Sequence, residues 1–334
     1  LFSPMVDVSV FKAMSWTLVM STLIAAWSGL TAINRDVLAD QIFGGLVLLM
    51  LASLPLIWLP VGFLLNGTGF QGILSHPQAF GPAMALLGAW ASSQMLAKKR
   101  PPWLMVVLAG VCLLLVVLSQ ARTALFGLFL GVGLAAAVTP GLAGRTLSSA
   151  LPGLFSKRTF LVGGLAIIGL IVASANLENA FHHFLSKRGN SGANTLLATY
   201  KASRGGLVEN MWTNIKAKPL QGIGFGVASD PYLMEVARDP LFGLPTGAAI
   251  EKGVLPVAVW EEVGLVGLIA VCVWVLMLVR RCARGGLAPV AVGLTALLLN
   301  MGEANLFSPG GMGLLPLILL GWAFASSQAR GRIR

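Results

Sequence analysis

Arg122 interrupts an apolar run, "LLVVLSQARTALFGLFLG", that approaches the length of a bilayer span. An arginine is costly in hydrocarbon and is kept where it faces water, a protein interior or an anionic ligand. Its planar fork matches phosphate oxygens. The alternative is a side chain that snorkels to the interface. Arg204 lies further on, in a long polar stretch, and Glu251 and Lys252 stand side by side ahead of Pro256. Proline suits the first turn of a helix. Glu251 and Lys252 therefore sit at an electropositive helix end, with Glu251 either a general base or an anion that caps the helix. Glu262 follows about three turns later on the ~1.5 Å rise of a helix.

Other polar residues fall among the apolar segments. In "GFQGILSHPQAFG", Gly, His-Pro and Gly break any helix, and broken backbone at such depth lines a cavity or packs inside protein. His76 is either a proton carrier near neutral pH or a hydrogen-bonding brace for that loop. "GIGFG", residues 222–226, lacks the strand that a nucleotide-binding loop needs before it. It reads as a tight turn, with Gly224 able to bring a backbone amide near a ligand. Glu303 and Asn305 either position hydroxyls or are solvated. His182 and His183 are adjacent rather than four apart, so a helical zinc site is not expected. Cys112, Cys272 and Cys282 form no CxxC pair and imply neither a metal site nor a disulfide framework.

These residues need elements to hold them, and composition says which. The 334-residue chain is 56% hydrophobic and 10% charged, with 40 glycines, where a soluble domain carries roughly 25% charge. An all-α, polytopic transmembrane helical bundle is expected. Nine spans are read, at about 10–33, 41–65, 80–96, 103–118, 123–138, 160–176, 256–279, 287–301 and 311–327. The net charge of +11 does not imply nucleic acid, because the basic residues cluster between apolar runs. Thirteen of the 23 Lys and Arg, from Arg35 through the Lys98–Arg100 cluster to the Arg330–Arg334 tail, fall in one alternating set of connections. The short loops of the other set hold only Arg122. The first set is therefore cytoplasmic and the second faces outward. The chain begins with Leu1 and shows no signal-peptide pattern. An odd number of further helices before it is needed to put an N-terminus inside.

Three regions follow: N-terminal helices over 1–176, a long extracytoplasmic loop over 177–255, and C-terminal helices over 256–334. Long loops escape the charge rule and are seldom without structure. "NTLLATYKASRGGLVENMWTNIKA" is read as one or two amphipathic helices, with Leu197, Tyr200, Leu207, Met211, Trp212 and Ile215 as apolar contacts.

Taken in order, "GFQGILSHPQAFG", "SQARTALFG", "ASRGGLVENMW", "KPLQGIGFG" and "EKGVLPVAVWEEVGLVGL" resemble the O-antigen ligase/polymerase superfamily of bacterial envelope proteins. The likeness covers about residues 60–325. It implies a GT-C-like fold in the bacterial inner membrane, with the active site facing the periplasm. The implied reaction is metal-independent and cofactor-free glycosyl transfer from a glycan on undecaprenyl diphosphate to a glycan or lipid-linked acceptor. Such a reaction needs cations for the diphosphate and a base for the acceptor. The resemblance gives the diphosphate to Arg122 and Arg204. It leaves Glu251 as base, and Lys252, His76, Gly224 and Glu303 as further substrate contacts. Lipid A-core ligases carry a histidine shortly before the "GxxG" of the span after the loop. Counted back from Gly264, that position falls near Gly253, beside Glu251 and Lys252. The absence favours polymerisation of O-antigen or exopolysaccharide repeat units, with ligation as the alternative.

Two other classes compete. A polysaccharide or lipid transporter would join broken helices near the midplane through inverted repeats, and no repeat is evident. A structural assembly subunit would not need Arg122 and Arg204 to converge.

Overall fold

The computed structural model describes residues 3–63, 69–142, 144, 146–160, 196–248, 252–302, 304–308 and 310–328, with 196–205 described in their backbone alone. The chain is mostly helical. In order come α1 (Val6–Gly29), α2 (Ala32–Ser53), α3 (Pro77–Leu96), α4 (Trp103–Leu118), α5 (Arg122–Leu142), α6 (Leu196–Ala217), α7 (Leu255–Gly285), α8 (Leu287–Leu298) and α9 (Leu314–Ala325). Four segments are long and apolar enough to cross a membrane: Val6–Gly29, Ala32–Trp58, Arg122–Leu142 and Leu255–Gly285. Trp103–Leu118, Leu287–Met301 and Gly311–Ala325 are apolar but shorter. The expected span at 160–176 and the pair His182–His183 lie outside the described residues.

The chain divides into two compact units. The first comprises Leu1–Ala25, Asn194–Leu278 and Asn300–Leu317. It contains most of α1, all of α6 and the larger part of α7. It also departs from the all-α expectation, because Val236–Arg238 (β1) pairs antiparallel with Pro245–Ala248 (β2). The turn between them explains why. The Asp239 carboxylate accepts the amides of Leu241 and Phe242 at 3.1 and 2.8 Å, and Gly243 takes the left-handed conformation (φ 66°) that closes the turn. The ribbon is anchored by Val8, Val227 and Met234, with Val236 and Ala248 packed against them.

The second unit comprises Ala26–Ala193, Val279–Leu299 and Ile318–Arg334. Its buried centre is α3, where Phe80, Met84, Leu86 and Leu87 are fully enclosed. Small residues let backbones approach, as in many membrane helices. A Cβ on Gly81 would fall 2.4 Å from the Ala121 Cβ, and one on Gly131 2.3 Å from Thr295 Oγ1. Phe43 stacks on Trp90 at 4.6 Å and meets Trp322 edge-on at 5.4 Å.

α2 starts about nine residues before the expected span at 41–65. Thr31 caps it by accepting the Asn34 amide at 3.3 Å. Arg35, expected as a loop cation, is buried instead. Its guanidinium donates to the carbonyls of Trp27 (3.1 Å), Leu30 (3.0 Å) and Ala325 (2.6 Å). Carbonyls left free at helix C-termini need such donors, so Arg35 clasps the ends of α1 and α9 rather than marking a loop.

Candidate functional site

The first unit is organised around a break in α7. Gly264 has φ 67° and ψ −174°, far from helical values. In an unbroken helix the Leu265 amide would donate to the Glu261 carbonyl. Here Leu265 donates to the Pro219 carbonyl (2.9 Å), and the Glu261 and Glu262 carbonyls accept the amides of Ile223 (2.8 Å) and Gly224 (2.9 Å). The Trp260 indole also donates to the Pro219 carbonyl at 3.1 Å. Three backbone groups at the break thus find partners in "KPLQGIGFG", as buried backbone requires. The approach demands glycine. A Cβ on Gly264 would lie 2.0 Å from the Leu220 carbonyl oxygen, and one on Gly222 2.5 Å from that of Glu262.

Two carboxylates and a lysine are buried beside this clip. Lys252 Nζ lies 2.7 Å from Glu261 Oε2 and 3.2 Å from Glu262 Oε1. Glu261 also accepts from Asn214 Nδ2 of α6 (2.7 Å) and from the Ser229 hydroxyl (3.1 Å). Glu262 Oε2 accepts the Gly226 amide at 2.7 Å. Asn214 Nδ2 also donates to the Ser229 carbonyl (2.7 Å), so its two donors face two acceptors. Lys12 of α1 lies within electrostatic reach of Glu262 and Lys252, with its ammonium 5.6 Å from the centre of the Phe225 ring. Two cations thus balance two carboxylates. Such compensation is what makes buried charge tolerable, since an unpaired one costs several kcal/mol.

A cavity of about 300 Å³ lies against this network, lined by Trp16, Phe225, Val259, Glu262, Val263 and Phe307 among others. Phe307 meets Trp16 and Phe225 edge-on at 5.0 and 5.3 Å. The Trp16 indole donates to the Leu306 carbonyl at 2.9 Å. The Ala304 amide donates to the Lys252 carbonyl at 3.1 Å. That bond joins the chain positions next to Glu303 and Glu251, which themselves lie outside the described residues.

The expected site residues distribute as follows. Lys252, read from the sequence as a substrate-facing neighbour of Glu251, is instead enclosed with Glu261 and Glu262. The cause is the two glutamates, whose burial requires a cation. Gly224 gives its amide to the Glu262 carbonyl, so that amide serves the clip. Arg204 lies on the backbone of α6 in the first unit, and its side chain is outside the described residues. His76 caps α3: its Nδ1 accepts the Gln78 amide at 3.1 Å, and Pro77 fills the first helical position.

Arg122 is the first residue of α5, in the second unit. Its guanidinium has no hydrogen-bond or ion-pair partner among the described residues. Beside it Gln120 holds a left-handed φ of 54°, uncommon for a residue with a side chain. The junction packs on the glycine-rich loop before α3. The Phe70 amide donates to the Leu118 carbonyl at 2.9 Å, and a Cβ on Gly69 would lie 2.4 Å from the Ser119 carbonyl oxygen.

Glu261, Asn214, Ser229 and Lys12 were not read as site residues from the sequence. The signal was present for two of them. Lys12 falls inside the first expected span and Glu261 adjoins Glu262 in an apolar run, and ionisable residues in membrane segments mark functional sites by default. Among the described residues, no three His, Cys, Asp or Glu side chains gather as a metal site would require. Compared with known proteins, the sequence matches no family model and no curated protein.

Proposed function

We propose that this chain is a multi-pass glycosyltransferase of the bacterial inner membrane, with nine spans and its site on the periplasmic side. It takes a glycan from undecaprenyl diphosphate and polymerises O-antigen or exopolysaccharide repeat units. The observation that carries this reading is how the resembling stretches pack. "GFQGILSHPQAFG" lies against "SQARTALFG" through the close approach of Gly69 to the Ser119 carbonyl and of Gly81 to Ala121, and "KPLQGIGFG" is clipped onto "EKGVLPVAVWEEVGLVGL" at Gly264. Stretches apart in sequence are thus paired in space within each unit, which supports reading them as functional segments.

In this reading Arg122 and Arg204 hold the diphosphate in bidentate contacts. The acceptor hydroxyl loses its proton to Glu251 while its oxygen bonds to the anomeric carbon. The bond from that carbon to the diphosphate oxygen breaks, and undecaprenyl diphosphate leaves with the electron pair. Concentrating cations where leaving-group charge develops lowers the barrier. Lys252 does not touch substrate. Its ion pairs with Glu261 and Glu262 fix the chain next to Glu251. Glu303, whose neighbour Ala304 is bonded to Lys252, belongs with the acceptor. Ligation to lipid A-core or another acceptor uses the same donor chemistry.

A transporter is the second reading, because a broken helix with buried carboxylates, as in α7, is also how transporters build substrate sites. Purified protein in detergent, where no compartments exist, separates the two. The transferase releases undecaprenyl diphosphate and lengthens the glycan. A donor that stays intact with protein that binds it favours transport and overturns the transferase reading.

A further inference from the structure

The turn between β1 and β2 carries two large apolar side chains that no described residue covers. Leu241 is 82% exposed and Phe242 79%. A turn in water normally presents polar side chains at its tip. Here the polar groups of the turn are bonded to one another. Asp239 accepts the amides of Leu241 and Phe242. The Gly243 amide donates to the Asp239 carbonyl and the Asp239 amide to the Leu244 carbonyl, both at 2.8 Å. The Gly243 carbonyl accepts from Arg238 at 2.9 Å. A tip whose amides are already satisfied loses little on leaving water, and Leu and Phe gain by it.

Its position is set by α1. Arg238 Nη1 also pairs with Asp7 in the first turn of α1 at 2.7 Å. Val8 of α1 is buried with Val227 and Met234 under the ribbon. On α1, Val6, Val10, Met14 and Leu18 recur every four residues and are all exposed, an apolar stripe fit for lipid. That stripe begins one residue before Asp7. The Asp7–Arg238 pair therefore stands where the hydrocarbon-facing stripe starts, and the Leu241–Phe242 tip is tied to that level. Interfacial anchors bury Trp, Phe and Leu side chains at the headgroup and acyl-chain boundary.

We propose that the Asp239–Gly243 turn is an interfacial anchor whose Leu241 and Phe242 side chains enter the lipid leaflet at the N-terminal end of α1. The partner is the bilayer surface itself. The inference rests on α1 spanning the membrane and not on the transfer reaction.

The test places an environment-sensitive fluorophore on the full chain as Phe242→Cys, with exposed Cys272 replaced by Ala and the buried Cys112 and Cys282 kept. The labelled protein is reconstituted in vesicles of phosphatidylethanolamine and phosphatidylglycerol. A second preparation adds phosphatidylcholine bearing a nitroxide near the carbonyl end of its acyl chain. Monodisperse elution verifies the fold of the variant. Blue-shifted emission that loses most of its intensity with the nitroxide lipid is expected. Water-like emission that the nitroxide leaves unchanged overturns the proposal. Blue-shifted emission without quenching means that protein covers the tip, and overturns it as well.

Discussion

Lys252 Nζ sits 2.7 Å from Glu261 Oε2, with the two side chains 2% and 0% exposed. The pair bridges the entry of α7 to the residues just before its break at Gly264. Because the same lysine also reaches Glu262 at 3.2 Å, one cation serves both carboxylates and holds the chain beside Glu251.

Removing one partner of this pair leaves an uncompensated buried charge, which costs about 3–5 kcal/mol. Lys252→Met and Glu261→Gln should each lower the thermal midpoint of the detergent-purified protein substantially. Because the residues share a partner, the double variant should be less damaged than the summed singles. Additive losses would show that the pair does not act as a unit.

Gly264→Ala should be among the most disruptive single changes in α7. The new Cβ meets the Leu220 carbonyl oxygen at 2.0 Å, and the residue needs φ 67°. Gly133→Ala is the control: nothing lies within 4 Å of the added atom, and a helical Gly to Ala change gains up to about 1 kcal/mol. Folded yield and unfolding temperature report both. Equal behaviour of the two variants would remove the clip from the fold.

Arg35→Lys keeps the charge but cannot reach three separate carbonyls as the planar guanidinium does. Hydrogen bonds from a charged donor contribute about 1.5–3 kcal/mol each. Arg35→Ala should therefore destabilise more than Arg35→Lys, and both should lower the unfolding midpoint. An unchanged midpoint in Arg35→Ala would return Arg35 to the role of a loop charge.

The apolar helices were legible because hydrophobic length needs no tertiary information. The four long helices overlap the runs read from the sequence at 10–33, 41–65, 123–138 and 256–279 without sharing their bounds, and α2 begins about nine residues early. Asn34, Arg35 and Asp36 look like a loop until Arg35 is seen to find its carbonyls at the ends of two other helices. The break at Gly264 was hidden for a related reason. A glycine in an apolar run signals close approach, but not which segment approaches, and "KPLQGIGFG" lies about forty residues upstream. The Lys252 and Glu261 pair is equally non-local. Lys252 reaches carboxylates nine and ten residues on, and nothing in the order of residues marks them as its partners. The β1–β2 ribbon is three and four residues per strand, too short for alternation to register.

The proposed reaction makes its sharpest demand on two arginines. Arg122 is half-buried at the start of α5 with no partner for its guanidinium among the described residues, and Arg204 lies on α6. The deciding measurement is donor affinity and turnover of the purified protein with an undecaprenyl-diphosphate-linked glycan, for wild type, Arg122→Lys, Arg122→Ala, Arg204→Ala and the Arg122→Ala, Arg204→Ala pair. If both hold one diphosphate, Arg122→Lys impairs transfer, Arg122→Ala impairs it further, and the paired variant loses less than the product of the single losses. Wild-type donor affinity and turnover in the paired variant would contradict the diphosphate site and the glycosyl-transfer reading built on it.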